Sequence, residues 1–119
     1  MAYELNATVH YVYLKYSGTI DLEERKKAKQ DVINLCYERN LNRFLVDLRN
    51  SNVQMSRTDV HDFAGSFKQE TLPENYRLVV LVSLENQTKD LLNALIRLEG
   101  VLVNYFFKFD EAENWLLAI

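Results

Sequence analysis

The chain contains one cysteine, Cys36, so no disulfide can close within it. Thiol use of this kind suits a reducing compartment, and a cytoplasmic address is the expectation. Glycine is scarce as well: Gly18, Gly65 and Gly100 are too scattered to form a phosphate-cradling loop. The two histidines, His10 and His61, have no neighbour at metal-ligand spacing, so neither a metal nor another cofactor is expected. Positive charge is in short supply, with 14 Lys plus Arg against 17 Asp plus Glu, a net charge of -3 and a pI near 5.4. Such a field repels phosphate backbones, which removes nucleic acid from the expected partners. The N-terminus lacks the basic and apolar regions of a secretory signal. The longest apolar run, Leu78 to Leu84, falls well short of the roughly 18 residues a membrane span needs.

What is present is ordinary globular composition, 48% apolar and 26% charged over 119 residues, enough for one hydrophobic core and one domain spanning 1–119. Thr8 to Tyr16 is rich in β-branched and aromatic residues and ends at Ser17-Gly18, the pattern of a strand. Tyr3-Glu4-Leu5 offers a short edge strand before it, turning through Asn6-Ala7. Asp21 followed by Glu24 is a capping box. The helix it opens has an inward stripe of Leu22, Ala28, Val32, Leu35 and Cys36, with Arg25, Lys26, Lys27 and Lys29 assigned to water and Asn40 as a left-handed stop.

Phe44 to Leu48 is short and apolar on both faces, as in a buried parallel strand, and the polar stretch Arg49-Asn50-Ser51-Asn52 reads as a loop. Ser56 with Asp59 repeats the capping box before a second helix carrying Val60, Phe63, Ala64 and Phe67, stopped before Pro73. Arg77 to Leu84 is a further buried strand, followed by a helix marked by Leu91, Leu95 and Leu98 and closed by Gly100. Val101 to Phe109 alternates as a last strand. Asp110 with Glu113 caps a final helix whose apolar side is Ala112, Trp115, Leu116 and Ile119. Alternating strands and helices predict an α/β fold with a mainly parallel sheet.

No catalytic constellation emerges. Asp47 is the acid with the most interest, because it interrupts a central strand near its carboxyl end, where open α/β sheets bind ligands. It could act as a base or metal ligand with Asp59 or Asp62, or it could be a structural carboxylate that accepts backbone N–H groups or pairs Arg49. Structural use is the expectation, and no enzyme is predicted. The surplus aromatics Tyr11, Tyr13, Tyr105, Phe107 and Phe109 either pack a core or form an adhesive patch for a second copy or an apolar ligand.

Taken in order, Tyr11 to Gly18, Phe44 to Arg49 and the closing Asp110-Glu111-Ala112-Glu113-Asn114-Trp115-Leu116 resemble the SpoIIAA-like, or STAS-like, domains of bacteria. The resemblance implies a sheet wound as a βα superhelix, related to anti-sigma factor antagonists, to the cytoplasmic domains of sulphate transporters and, remotely, to lipid-binding Sec14-type folds. In the antagonists a serine at the start of the second helix is phosphorylated and switches partner binding. Ser56 holds the matching position here, although Met55 precedes it in place of an acid and Arg57-Thr58 follow it in place of Ser-Gly. The expectation is therefore a non-enzymatic interaction module, a homodimer, that binds a protein partner through Asp47, Arg49, Asn50, Ser51, Ser56 and Arg57, with Ser56 as a phosphorylation site. The alternative is a carrier for a small apolar or lipid-like ligand.

Overall fold

The computed structural model describes residues 3–53, 56–66, 72–83, 89–97 and 101–118. In chain order these form β1 (Tyr3–Ala7), β2 (Val12–Ile20), α1 (Leu22–Arg39), β3 (Arg43–Val53), α2 (Arg57–Ser66), β4 (Tyr76–Leu81), α3 (Lys89–Ile96), β5 (Val101–Phe106) and α4 (Phe109–Leu117). The five strands lie in one sheet in their sequence order, β1 antiparallel to β2 and all later pairs parallel. Phe67, Leu84, Leu98, Gly100 and Ile119, and the side chain of Leu91, lie outside the described residues.

The edge strand expected at Tyr3 exists, but it runs on through Ala7 and the turn comes later than Asn6-Ala7. Thr8 makes that turn: its N–H donates to the Tyr11 carbonyl at 2.8 Å, while its hydroxyl oxygen accepts from the His10 and Tyr11 N–H groups at 3.1 and 3.0 Å. A hydroxyl that bonds the backbone two and three residues on pulls Thr8 out of the strand that its β propensity suggests.

Helix α1 begins and ends as its sequence predicts. Asp21 Oδ1 accepts from the Glu24 N–H at 2.9 Å, and Asn40 adopts the left-handed conformation (φ 57°, ψ 47°), with the Leu41 N–H reaching the Cys36 carbonyl at 2.8 Å. The cations of its first half depart from expectation. Arg25 and Lys29 are buried, at 3% and 7% exposure, instead of facing water. The helical period explains why: Leu22, Arg25, Lys29, Val32 and Cys36 follow one another at intervals of three or four and so share one stripe. Cys36 is buried on the same stripe, and burial pushes its thiol up to about 11, which keeps it a neutral packing group.

The two faces of the sheet are unequally covered. On one face, Val12, Leu14, Tyr16, Phe44, Val46, Leu48, Leu78 and Val80 meet α1, α2 and α3 through Ala28, Val32, Cys36, Val60, Phe63, Ala64 and Leu95. On the other, Tyr11, Leu45, Val79 and Leu81 meet α4 through Ala112 and Leu116, with Tyr13, Phe106, Phe109 and Trp115 around them. Consecutive parallel strands joined by crossovers of one hand carry all their connecting helices to one side. Among the described residues, the helix on the other face is α4, after the last strand.

That last helix is not capped as the sequence suggests. It starts at Phe109, after Lys108, with no side-chain cap bond, and Glu113 instead accepts from the Tyr11 hydroxyl at 2.7 Å. Phe109 lies 6.2 Å from the Tyr13 ring, and this packing draws the helix start ahead of Asp110. Glu113 then sits too deep in the helix to complete a capping box. At the far end, Arg43 donates to the Leu116 carbonyl at 2.6 Å, and Arg77 donates to the carbonyls of Trp115, at 3.0 Å, and Ala118 while stacking 5.1 Å from the Trp115 ring. Arg43 and Arg77 are direct cross-strand partners, an arrangement that repels in isolation. The negative end of α4 and its orphan carbonyls offset that repulsion.

Replacing Arg77 with Met should therefore loosen α4 more than it disturbs the sheet. The expected loss is about 2 kcal/mol in urea unfolding, in keeping with hydrogen bonds from a charged donor, and Trp115 fluorescence should report the change first.

Candidate functional site

The parallel strands point their carboxyl ends toward the start of α2, and there β2 and β3 outrun their neighbours. The β3–β4 pairing ends at Asp47 with Leu81, whereas β2 and β3 stay paired as far as Ile20 with Val53. The polar stretch Arg49 to Asn52, expected as a loop, is thus part of β3. Its backbone finds partners because Ser17 to Ile20, on which Gly18 has φ 75°, continues β2 beside it. The result is a two-stranded ribbon projecting beyond the sheet.

The ribbon begins at a bulge. Register passes from Lys15 with Asp47 to Ser17 with Asn50, so β3 holds one extra residue. Asp47 supplies the cause: its Oδ1 accepts from the Arg49 N–H at 3.0 Å and from Arg49 Nε at 3.0 Å, while Arg49 Nη2 donates to Oδ2 at 2.9 Å. Tyr13 on the neighbouring strand adds a hydroxyl donor to Oδ2 at 3.0 Å. The carboxylate is 1% exposed, yet four donors surround it. Burial acts to raise its pKa, but the Arg49 bonds and charge together with the Tyr13 hydroxyl outweigh it and hold the carboxyl below the usual carboxylate range. Burial beside this anion pushes Tyr13 up to about 12, so it stays a donor at neutral pH.

Structural use of Asp47, accepting a backbone N–H and pairing Arg49, is therefore what the geometry contains. Its oxygens are engaged inside the sheet, and no bond joins it to Asp59 or Asp62. Asp59 is committed to the α2 cap, and Asp62 lies on an open groove with Lys26, His61 and Ser66. Among the described residues no cluster of His, Cys, Asp or Glu could hold a metal. No helix among them is long and apolar enough to cross a membrane.

The remaining candidates divide between framework and surface. Ser51 is buried and its hydroxyl donates to the Leu48 carbonyl at 2.9 Å, which ties the ribbon to β3 and withdraws Ser51 from any partner. Arg49, Asn50, Ser56 and Arg57 are exposed. Ser56 caps α2 reciprocally: its Oγ accepts from the Asp59 N–H at 3.1 Å, and its own N–H donates to Asp59 Oδ2 at 3.4 Å. Met55 and the side chain of Asn52 lie outside the described residues.

Two features were not anticipated. Arg25 joins Leu14, Tyr16, Lys29, Phe44, Val46, Phe63, Leu78 and Leu95 around a cavity of about 20 Å³ under α1 and α2, room for a water or two. Its position on the apolar stripe, three residues from both Leu22 and Ala28, was the available signal. At the open edge of the sheet, Leu102, Tyr105 and Phe107 are substantially exposed, with Tyr105 and Phe107 in edge contact at 6.3 Å. Of the other aromatics of the surplus, Tyr11 and Tyr13 pack under α4, and Phe109, its first residue, packs on Tyr13.

Neither a protein-family profile nor a curated protein matches the sequence. Solved structures do match its fold. The anti-sigma factor antagonist SpoIIAA in its unphosphorylated form superposes with a TM-score of 0.62 at 12% identity, covering 99% of this chain and 100% of that one. An uncharacterised protein from Shewanella loihica with a SpoIIAA-like fold gives 0.60 at 13% identity, covering 97% and 92%. The chain thus has the SpoIIAA-like fold that its sequence resembles.

The Asp47 site should make stability depend on acid. A carboxyl whose folded pKa lies below its unfolded value of about 3.9 contributes fully above that value and ceases to contribute as pH falls through the folded one. Asp47→Asn should lower stability at pH 7 by about 1–3 kcal/mol, the cost of leaving buried donors short of an acceptor, and should flatten this acid limb. Urea midpoints at pH 7 and below pH 4 measure both; an unchanged acid limb would assign it to other carboxyls.

Proposed function

We propose that this chain is a non-enzymatic, cytoplasmic regulatory module that binds a protein partner at the carboxyl end of its sheet, through Arg49, Asn50, Ser56 and Arg57 on the frame made by Asp47 and Ser51. The carrying observation is Ser56: an exposed hydroxyl at a formed helix cap, following the two-stranded ribbon in the chain, in the fold of a protein that itself has an unphosphorylated form. The fold alone would be compatible with many roles. The exposed hydroxyl at that position is what favours a switch.

The chemistry of such a switch follows from the cap. A phosphate on Ser56 adds about -1.5 to -2 charges at neutral pH. The N-terminal end of α2 attracts it, while Asp59, bonded to the Ser56 N–H, repels it. One of the two reciprocal cap bonds must yield, so the modification changes both the charge and the shape of the first turn. Partner affinity responds to that turn, whereas the sheet beneath it is held by bonds that do not involve Ser56.

The same module pairs with a second copy through Leu102, Tyr105 and Phe107. The edge of β5 is partly protected, since Asn104 Oδ1 accepts the Tyr105 N–H at 2.8 Å. Side-chain packing, rather than strand addition, is therefore the contact that supports dimerisation.

Ser56→Asp should weaken capture of the partner at least about tenfold relative to the parent, and Ser56→Ala should retain capture while costing about 1 kcal/mol of stability. Quantitative pull-down and urea unfolding read the two effects; equal capture by parent and Ser56→Asp removes the switch, and no capture by either removes the module. A Leu102→Lys, Phe107→Lys double variant should be monomeric in light scattering where the parent is a dimer. A monomeric parent would remove the dimer.

A further inference from the structure

The amino ends of the parallel strands form an open groove, at the far end of the sheet from the ribbon. Register aligns Arg43 of β3, Arg77 of β4 and Leu102 of β5 in one cross-strand row. Arg43 and Arg77 alternate in step with Leu45 and Val79, which pack under α4, so both arginines stand on the α4 face. Where α4 ends at Ala118, these three residues with Asn42, Asn75 and Val101 line a groove of about 570 Å³. That size lies within the roughly 300–1,000 Å³ of clefts that hold small organic ligands.

The charge in this groove is not balanced from within. Arg43 and Arg77 are half-buried, neither pairs with a carboxylate among the described residues, and no acid lines the groove. The end of α4 supplies about half a negative charge against two full positive ones. Those two charges rise from strands about 4.8 Å apart. Each guanidinium carries five N–H donors, and the bonds to the α4 carbonyls use Nη1 alone. The carbonyls that would repel an anion are thereby engaged, and the other edges of both forks remain for one. In a chain of net charge -3 the positive excess is local, produced by register rather than by composition.

We propose that this groove binds a small phosphate monoester, its phosphate accepting from Arg43 and Arg77 and its carbon body lying against Val101 and Leu102. A phosphate ester brings about -1.5 to -2 charges and three terminal oxygens, enough to engage two neighbouring forks at once. A single carboxylate brings one charge and two oxygens. The net negative charge of the chain disfavours a polynucleotide. The site does not depend on partner binding at Ser56. Leu102 also belongs to the aromatic edge, so binding is measured on protein diluted until light scattering reports a monomer.

Phenyl phosphate should shift the Arg43 and Arg77 Nε–H resonances saturably. It should also change Trp115 fluorescence, because the Arg77 guanidinium lies 5.1 Å from that ring. Inorganic phosphate, which lacks the carbon body, and benzoate, which lacks the second charge, should each bind at least about tenfold more weakly, and phenol and sodium chloride at equal ionic strength should not bind. Arg43→Lys keeps the charge without the fork and should weaken phenyl phosphate at least about tenfold. Asn75→Asp tests the site without touching α4: position 75 is exposed and left-handed (φ 57°), a conformation aspartate also adopts, and the added charge should weaken binding about threefold. No saturable shift with phenyl phosphate, an equal response to chloride, or equal affinity for benzoate overturns the proposal. Equal affinity for inorganic phosphate overturns the monoester, and unchanged binding by Asn75→Asp places the anion outside this groove.

Discussion

Strand order governs this molecule. Because β2, β3, β4 and β5 neighbour one another in sequence order, the three crossover helices fall on a single face, and among the described residues the opposite face is covered by α4. Helix α4 has nine residues, and polar bonds fix it at both ends. Tyr11 bonds Glu113 near the start, and Arg43 and Arg77 bond the final carbonyls. Two neighbouring arginines inside a sheet make physical sense only with that helix terminus above them.

The same unequal coverage shapes the carboxyl end of the sheet. Asp47 points to the face of α4, not to the face of the three crossover helices, as its bond to Tyr13 and its register beside Lys15 require. A buried acid there needs donors from nearby, and it takes the Arg49 N–H out of the ladder. The bulge that results lets β3 run on as a ribbon with β2 after β4 has ended. A residue that looks catalytic in a sequence is here the anchor of a projecting surface, holding the exposed Arg49 by its backbone and side chain.

Sequence periodicity carried most of the architecture: the Asp21 and Ser56 caps, the Asn40 stop and the alternation of elements are all present in the structure. The failures have specific physical causes. Thr8 has a strand former's side chain, but its hydroxyl bonds the following backbone, and local chemistry overrode propensity. Arg49 to Asn52 is polar enough to look like a loop because a two-stranded ribbon outside the core has no need of apolar residues. The Asp110 box failed because Phe109 was worth more packed on Tyr13 than left outside the helix. Asp47 and Ser51 were legible as candidates, but that both would be buried while Arg49 and Asn50 stay exposed depended on a register that one strand's sequence cannot contain.

Arg25 is the instructive case, since the rule that found the stripe also contained the exception. Assigning a cation to water is correct on average, and long cationic side chains commonly snorkel from an apolar stripe to its rim. Lys29 does this in part, reaching Ser66 at the edge of α2. Arg25 cannot, because it sits beneath the α2 ring of Phe63 and above Tyr16 of the sheet, closed in from both layers. Position on the helix decided the burial, and position in the layers decided that no solvent route remained.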